Sequence, residues 1–417
     1  MNVKPVKVAL IGSGNISYTY LNTLVHGGFE IIDVVGCSDI IPEKSAARAE
    51  LFGIRQMTNE EILNDPEIEI VLNTTQLWNH SAVTKMILEA GKHVYSEKAM
   101  GDTFSGAKAN YDLAKAKGLR IGSAPDIYMG AAYQTARKLI DDGAIGRPLL
   151  AHAMCCRGYN SHYAAGDPLD PSAGAAGTTI THDMAGYYVN ALVSLLGPVK
   201  RAGGYTKLYE DRAYENPKHP RYKQPIDKEI GGKRRGDTLF LSALEFESGV
   251  FGSLTFCSEA FFPEEPRVEI IGTEGILTLP DPNNFGGWGY DVLLKRVGNA
   301  VDGKNEVFRM PFTHGYGDTD PSIPPKSGKP EPCYNSWRGL AVVDMAWAIR
   351  RNRPHRSSAE LALHTVEIVD AVERSMQDNS LHTIHSRPQR PAPLTPGLFG
   401  MGEASIDNLG IPEASHE

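Results

Sequence analysis

No run of apolar residues in this 417-residue chain reaches the ~18 that a membrane-spanning helix needs, so no membrane partner is expected. The first residues, MNVKPVKVALIG, also lack the long apolar stretch and cleavage site of an export signal. Cysteine is scarce: Cys37, Cys155, Cys156, Cys257 and Cys333 form an odd set without C-x-x-C spacing. A disulfide framework or structural zinc is therefore not expected, and a reducing cytoplasm is the simplest compartment. Positive charge is in deficit too. With 42 Lys and Arg against 50 Asp and Glu, the net charge is −8. Nucleic-acid recognition normally needs a basic face, so that class of partner is set aside. No cluster of His, Cys, Asp and Glu has metal-ligand spacing, and no internal repeat is visible.

What remains is a globular composition, 41% hydrophobic and 22% charged. The length exceeds one ordinary core and predicts two domains. Residues 1–125 alternate strand-like runs, VKVALIG (6–12), IIDVVGCSD (31–39), IEIVLNTT (68–75), HVYSE (93–97) and RIGSAP (120–125), with helical stretches. Pro42 opens one helix before Gly53, Gly91 closes another that starts at Ser81, and Thr103 and Gly118 bracket a third. Such alternation predicts an α/β domain with a doubly wound parallel sheet.

From 126 to 386 the pattern changes to α+β. A helix at Gly130–Asp142 precedes the strand PLLAHAMCC, and an apolar helix runs from His182 to Leu196 before Gly197-Pro198. DTLFLSALEFESGVFGSLTFCSEA and RVEIIGTEGILTLP read as hairpins, predicting a mostly antiparallel open sheet. Residues 209–236 read as a charged surface excursion and 313–333 as a long loop. Two helices (336–351 and 357–378) follow, then a Pro-rich tail, 387–417, that need not be ordered.

The motif with the clearest chemistry is ALIGSGNISYTYLNTL. Gly12 permits a tight strand-to-helix turn, Gly14 lets backbone approach a pyrophosphate, and Asn15 and Ile16 begin a helix whose N–H groups face the anion. Ser17 takes the place of the third glycine, and Asp39 ends the second strand 22 residues later. An acid there accepts hydrogen bonds from a ribose diol and repels a 2′-phosphate, which favours NAD over NADP. Asp39 also suits a simpler role, capping the helix that begins at Pro42.

With this loop, Asp39 and the Glu97-Lys98 pair assembled, the chain resembles the glucose-fructose oxidoreductase / inositol dehydrogenase / MocA family over nearly its whole length. The resemblance implies an N-terminal Rossmann domain, a C-terminal α+β domain, and NAD(P)-dependent oxidation or reduction of a sugar, polyol or glycoside. It also implies a homo-oligomer, dimer or tetramer, through the open sheet. AGKHVYSEKAM is similar to the family's A-G-K-H-V-x-x-E-K-P segment and places its lysine on Lys98, with Ala99 where the proline stands. NTTQLWNHSAV resembles N-x-T-P-x-x-x-H and puts Asn73, Thr74, Thr75 and His80 near the cofactor, with Gln76 for the proline. THDMAGYYVNALVSLLGP resembles the family's catalytic helix and carries Asp183 and Tyr187, with tyrosine in place of histidine.

Asp183 and Tyr187 share one helix face by their four-residue spacing. By this resemblance Lys98, Asp183 and Tyr187 form the catalytic group. Tyr187 is the preferred acid/base with Lys98 as its electrostatic partner, and Lys98 itself is the alternative base. Glu97 is placed with the cofactor set, or pairs with Lys98. His162, with Asp167 in the same Gly/Ala-rich loop, is a candidate sugar contact. His364 has core-facing spacing and reads as structural. Oxidation at C3 of a pyranoside is the most specific expectation. A redox-assisted NAD-dependent glycosidase or lyase, or a dinucleotide-sensing regulator of the same fold, stays open beside it.

Overall fold

The computed structural model describes residues 3–156, 180–207, 229–230, 233–234, 239–257, 267–286, 291–296, 306–317, 337–397 and 406–407. The N-terminal part is one parallel sheet. Its strands are β1 (Val6–Ile11), β2 (Ile32–Ser38), β3 (Arg55–Gln56), β4 (Ile68–Asn73), β5 (His93–Ser96) and β6 (Ile121–Ser123), in the order 3-2-1-4-5-6. This is the dinucleotide-binding order, and its crevice opens where the order reverses, between β1 and β4. The largely apolar run VKVALI is buried at every position except the partly exposed Lys7, because helices cover both faces of the sheet. These helices are α1 (Asn15–His26), α2 (Pro42–Phe52), α3 (Asn59–Asn64), α4 (His80–Glu89) and α5 (Phe104–Lys117). Pro42 sits at the first turn of α2, and the Thr103 side chain accepts from Gly106 N to cap α5, as the sequence predicts.

The C-terminal part is a nine-stranded sheet. Its strands are β7 (Pro148–Cys156), β8 (Val199–Lys207), β11 (Leu239–Phe246), β12 (Phe251–Cys257), β13 (Arg267–Gly272), β14 (Gly275–Leu279), β15 (Val292–Arg296), β16 (Glu306–Met310) and β17 (His382–Thr383). A separate two-residue pair, β9 (Glu229–Ile230) and β10 (Lys233–Arg234), forms its own ladder. The order is 16-15-14-13-7-12-11-8-17, antiparallel throughout except for the β7–β12 pair. Both predicted hairpins form. Helices α6 (Ala131–Asp141), α7 (Ile180–Leu196), α8 (Leu340–Arg351) and α9 (Ala359–Asp378) complete the chain.

Helix α7 lies against the sheet through Tyr188, whose ring meets Phe256 edge-on at 5.4 Å, and joins Leu192, Phe240 and Leu254 in the core. Asn190 ties it to the end of β6, donating to Pro125 O at 3.2 Å and accepting from Thr365 of α9 at 3.0 Å. Gly186 is required for this approach: a Cβ there would sit 2.9 Å from Pro125 Cδ. The contact presses the first turns of α7 against the carboxyl end of the parallel sheet. His364 accepts from Val199 N at 2.9 Å and faces Ser386 Oγ at 2.8 Å, a structural role as expected.

Part of the Pro-rich tail is described. Residues 387–397 are held to the body. Arg137 donates to Pro391 O at 3.0 Å, Arg356 to Ala392 O at 2.8 Å, and the buried Leu394 donates its N–H to Gln134 Oε1 at 2.7 Å. Ile406 is buried, and Asp407 pairs with Arg351. The carbonyls of Pro391, Ala392 and Pro393 are satisfied by arginines from the body, an arrangement that composition alone does not reveal. Most of the excursion at 209–236, and residues 318–333 of the long loop, lie outside the described residues.

Candidate active site

The loop after β1 is built around Gly12, whose φ is +102°. A Cβ at Gly12 would meet the Thr74 carbonyl group and Thr75 N at 2.7 Å, so the loop after β4 closes directly on it. Thr74 seals this contact by donating its hydroxyl to Gly12 O at 2.6 Å. Gly14 caps α1 with no side-chain hydrogen bond, and a Cβ there would meet nothing within 4 Å. Open space over free helix N–H groups is the cradle an anion requires. Ser17 is buried and donates to Gly14 O at 2.6 Å, while Arg48 donates to Ser17 Oγ at 3.1 Å. Asp39 stands at the end of β2. It accepts from Ser13 N at 2.6 Å and from Ile41 N at 2.9 Å, so it both fixes the phosphate loop and shapes the start of α2. The residues present thus fit a dinucleotide: Gly12, Gly14, Asn15 and Ile16 at the pyrophosphate, and Asp39 at the ribose end.

Asn73, Thr74 and His80 are buried scaffolding beneath this surface. Asn73 donates to His80 O and Thr84 Oγ1, both at 3.1 Å, and accepts the Thr75 hydroxyl at 2.6 Å. His80 lies with one ring nitrogen 3.0 Å from Thr75 O and the other 2.7 Å from Ala99 O. Burial lowers its pKa from the ordinary histidine value, partly opposed by the two carbonyls. The imidazole therefore pins the loop after β4 to the loop after β5, where the Lys98–Ala99 peptide is cis. Sequence reasoning places His80 near the cofactor; its contacts are with the two loops that frame the crevice.

Glu97 and Lys98 part company here. Glu97 is buried, accepts the Tyr20 hydroxyl at 2.6 Å, and takes the backbone N–H of Lys98 at 3.1 Å. The Lys98 ammonium turns the other way, into an ion pair with Asp183 on α7. It also lies over the Tyr187 ring, 5.6 Å from the centroid. The structure thus brings Lys98, Asp183 and Tyr187 together, from segments 85 and more residues apart, at the carboxyl end of β5. His162 and Asp167 lie outside the described residues.

Two residues of this site escape the sequence reasoning. Arg338, just before α8, donates through Nη1 to Tyr187 Oη at 2.6 Å and through Nη2 to Asn283 Oδ1 at 2.5 Å. Its guanidinium also lies 5.3 Å from the Tyr187 ring centroid. A positive side chain at a helix N-terminus opposes the helix dipole, and that local conflict is the only signal in the sequence that could have drawn attention to it. The expected electrostatic partner of Tyr187 was Lys98. The cation on the phenol oxygen is Arg338, while Lys98 is paired with Asp183.

Comparison with known proteins follows the same lines. Residues 6–124 match the oxidoreductase family with an NAD-binding Rossmann fold, and residues 133–278 match the GFO/IDH/MocA C-terminal domain. Levoglucosan dehydrogenase of Pseudarthrobacter phenanthrenivorans is 31% identical over 261 residues, 57% of this chain and 62% of the relative. An inositol 2-dehydrogenase/D-chiro-inositol 3-dehydrogenase of Lactiplantibacillus plantarum is 30% identical over 37% of this chain and 44% of its own length. The chain thus spans less than two thirds of the curated relatives it matches first. A levoglucosan dehydrogenase solved in complex with NADH shares the fold, with a TM-score of 0.70 at 21% identity, covering 93% of this chain and 100% of that one.

Proposed function

The chain belongs to the GFO/IDH/MocA family of NAD-binding oxidoreductases, and from that premise we propose that it oxidises or reduces a secondary hydroxyl of a sugar, polyol or glycoside with NAD. The observation that carries this reading is the meeting of Lys98, Asp183 and Tyr187 beside the dinucleotide crevice. The relatives named for levoglucosan and inositol point to the same substrate class. When bound, NAD supplies the hydride acceptor at the alcohol carbon.

The remaining work falls to side chains. In the direction of carbonyl reduction, Tyr187 gives its phenol proton to the carbonyl oxygen; in oxidation the same oxygen takes the hydroxyl proton back. Lys98 holds the charge that develops on the substrate oxygen. Asp183 orients the ammonium and offers its remaining oxygen to a neighbouring hydroxyl of the substrate, where a carboxylate acceptor gives a strong hydrogen bond. A pyranoside oxidised at C3 presents such adjacent hydroxyls and is the most specific form of this reading.

The outer face of the nine-stranded sheet supports association into a homo-oligomer. Tyr205 is 63% exposed and pairs across strands with Leu241, 44% exposed; Phe251, 57% exposed, pairs with Leu150. Bare aromatic and aliphatic side chains in cross-strand contact are what an interface covers. Among the described residues no helix is long and apolar enough to cross a membrane.

The test is a panel of polyols, monosaccharides and glycosides followed by NADH absorbance. A sugar or polyol that reduces added NAD supports the reading. Turnover of a glycoside without added NAD would replace it with the redox-assisted glycosidase. Tight NADH binding with no turnover of any member would replace it with a dinucleotide sensor.

A further inference from the structure

Tyrosine in the acid/base position creates an electrostatic demand. A phenol that gives up its proton leaves a full negative charge on Oη, here on a side chain only 4% exposed. The surroundings of Tyr187 meet this demand from an unexpected direction. Nη1 of Arg338 donates to Oη at 2.6 Å, so the phenol oxygen is an acceptor on that side and its own proton points elsewhere. Nη2 is fixed on Asn283 Oδ1 at 2.5 Å, and the guanidinium carbon lies 5.3 Å from the Tyr187 ring centroid.

The segment bearing Arg338 is anchored as well. The buried Asp126 accepts from Gly339 N at 2.8 Å and Ala341 N at 3.0 Å, capping α8 one residue beyond Arg338. Burial acts to lower the pKa of Arg338, but Tyr187, Glu97 and Tyr20 outweigh it and raise the group above its ordinary value. Glu97 thus finds an employment the Glu-Lys motif did not suggest: its buried carboxylate, held by Tyr20, is part of the negative surroundings of Arg338.

We propose that Arg338 is a positioning residue of the proposed proton transfer: it aims the Tyr187 hydroxyl at the substrate and holds the phenolate that forms. The proposal rests on Tyr187 being the proton carrier. In carbonyl reduction the O–H bond of Tyr187 breaks, the proton goes to the carbonyl oxygen, and the electron pair stays on Oη beside Nη1. In oxidation the bond re-forms with the proton of the substrate hydroxyl. Charge-assisted donors of this kind are about twice as strong as neutral ones. Preorganised donors aimed at developing charge are worth about 10²- to 10³-fold in rate.

A double-mutant cycle on the full chain tests this, using the best substrate from the panel above with NADH binding followed by fluorescence. Arg338→Met is expected to lower kcat about 10²-fold with KM and NADH affinity within about threefold. In the Tyr187→Phe background the same change should cost less than about threefold more, because the oxygen it serves is gone. Methylguanidine should restore activity to Arg338→Ala but not to the double variant. If Arg338→Met does not fold, Arg338→Lys, which keeps the charge but not the two-pronged geometry, should lose about tenfold. A kcat within threefold of wild type for any folded Arg338 variant, or losses that multiply in the double variant, would overturn the proposal. Full turnover by Tyr187→Phe alone would sink the acid/base reading first and the role of Arg338 with it.

Discussion

Replacing Gly12 and Gly14 by alanine, one at a time, separates what the phosphate loop does for the fold from what it does for a ligand. At Gly12 the backbone is left-handed, φ +102°, and the new Cβ meets three backbone atoms of Thr74 and Thr75 at 2.7 Å. Left-handed strain costs about 1–2 kcal/mol and an overlap with immobile backbone about 1–3 more. Gly12→Ala should therefore lose about 2–5 kcal/mol of stability. At Gly14 the backbone is extended, φ −69°, and the new methyl meets nothing. A poorer helix cap and a stiffer unfolded chain roughly cancel there, so the net change should stay within about 1 kcal/mol. The methyl instead fills the space a pyrophosphate needs. NADH affinity of Gly14→Ala should fall at least about tenfold, which corresponds to about 1.4 kcal/mol. Denaturant titration and fluorescence-detected NADH binding measure the two quantities separately. Gly14→Ala binding NADH like the wild type would refute the assignment of that space; equal destabilisation by both changes would refute the packing argument.

Other consequences can be measured directly. Burial lowers the pKa of His364 to about 4, against about 6.5 in the unfolded chain. Its contribution is whole above pH ~6.5 and is lost as pH falls toward ~4, where it levels off; the loss is about 3 kcal/mol. His364→Gln should flatten that part of the pH–stability curve, and an unchanged curve would contradict the buried neutral imidazole. Asp344 is buried between Arg353 and Arg356, so Asp344→Asn leaves two guanidinium groups uncompensated. It should cost about 3–5 kcal/mol in denaturant titration. Asp39→Ser should weaken NAD about tenfold and admit NADP, read as the ratio of kcat/KM values; retained discrimination would move the specificity elsewhere.

Much of the fold was legible because its signals are local. VKVALIG, IIDVVGCSD and IEIVLNTT are largely apolar, each crossed near its start by one charged residue (Lys7, Asp33, Glu69), a pattern that suits a strand covered on both faces, and each became a strand. Thr103 and Pro42 named helix starts that the structure keeps to the residue. The strand β3 and helix α3 were missed because two and six residues carry no periodicity, although Thr58 and Glu61 form a capping box that announces α3. Residues 387–397 of the tail are held by Arg137 and Arg356, which lie elsewhere in the sequence, so its composition does not reveal those contacts. The site divides in the same way. Lys98, Asp183 and Tyr187 stand in motifs with fixed spacing, whereas Arg338 and Asn283 reach Tyr187 only through the packing of α8 and the loop after β14. Asn73, Thr74 and His80 were legible as residues near the crevice. That their side chains serve the backbone of its rim depends on hydrogen bonds the sequence does not display.

The central claim is that Lys98 and Tyr187 act on the same substrate oxygen. Steady-state kinetics of Lys98→Ala and Tyr187→Phe, on whichever sugar or polyol the wild type oxidises, test it most directly. The account predicts that each variant binds NADH within about threefold of wild type and loses at least about 10²-fold in kcat, the range expected for a lost acid/base group. Turnover at the wild-type rate by either variant would contradict it.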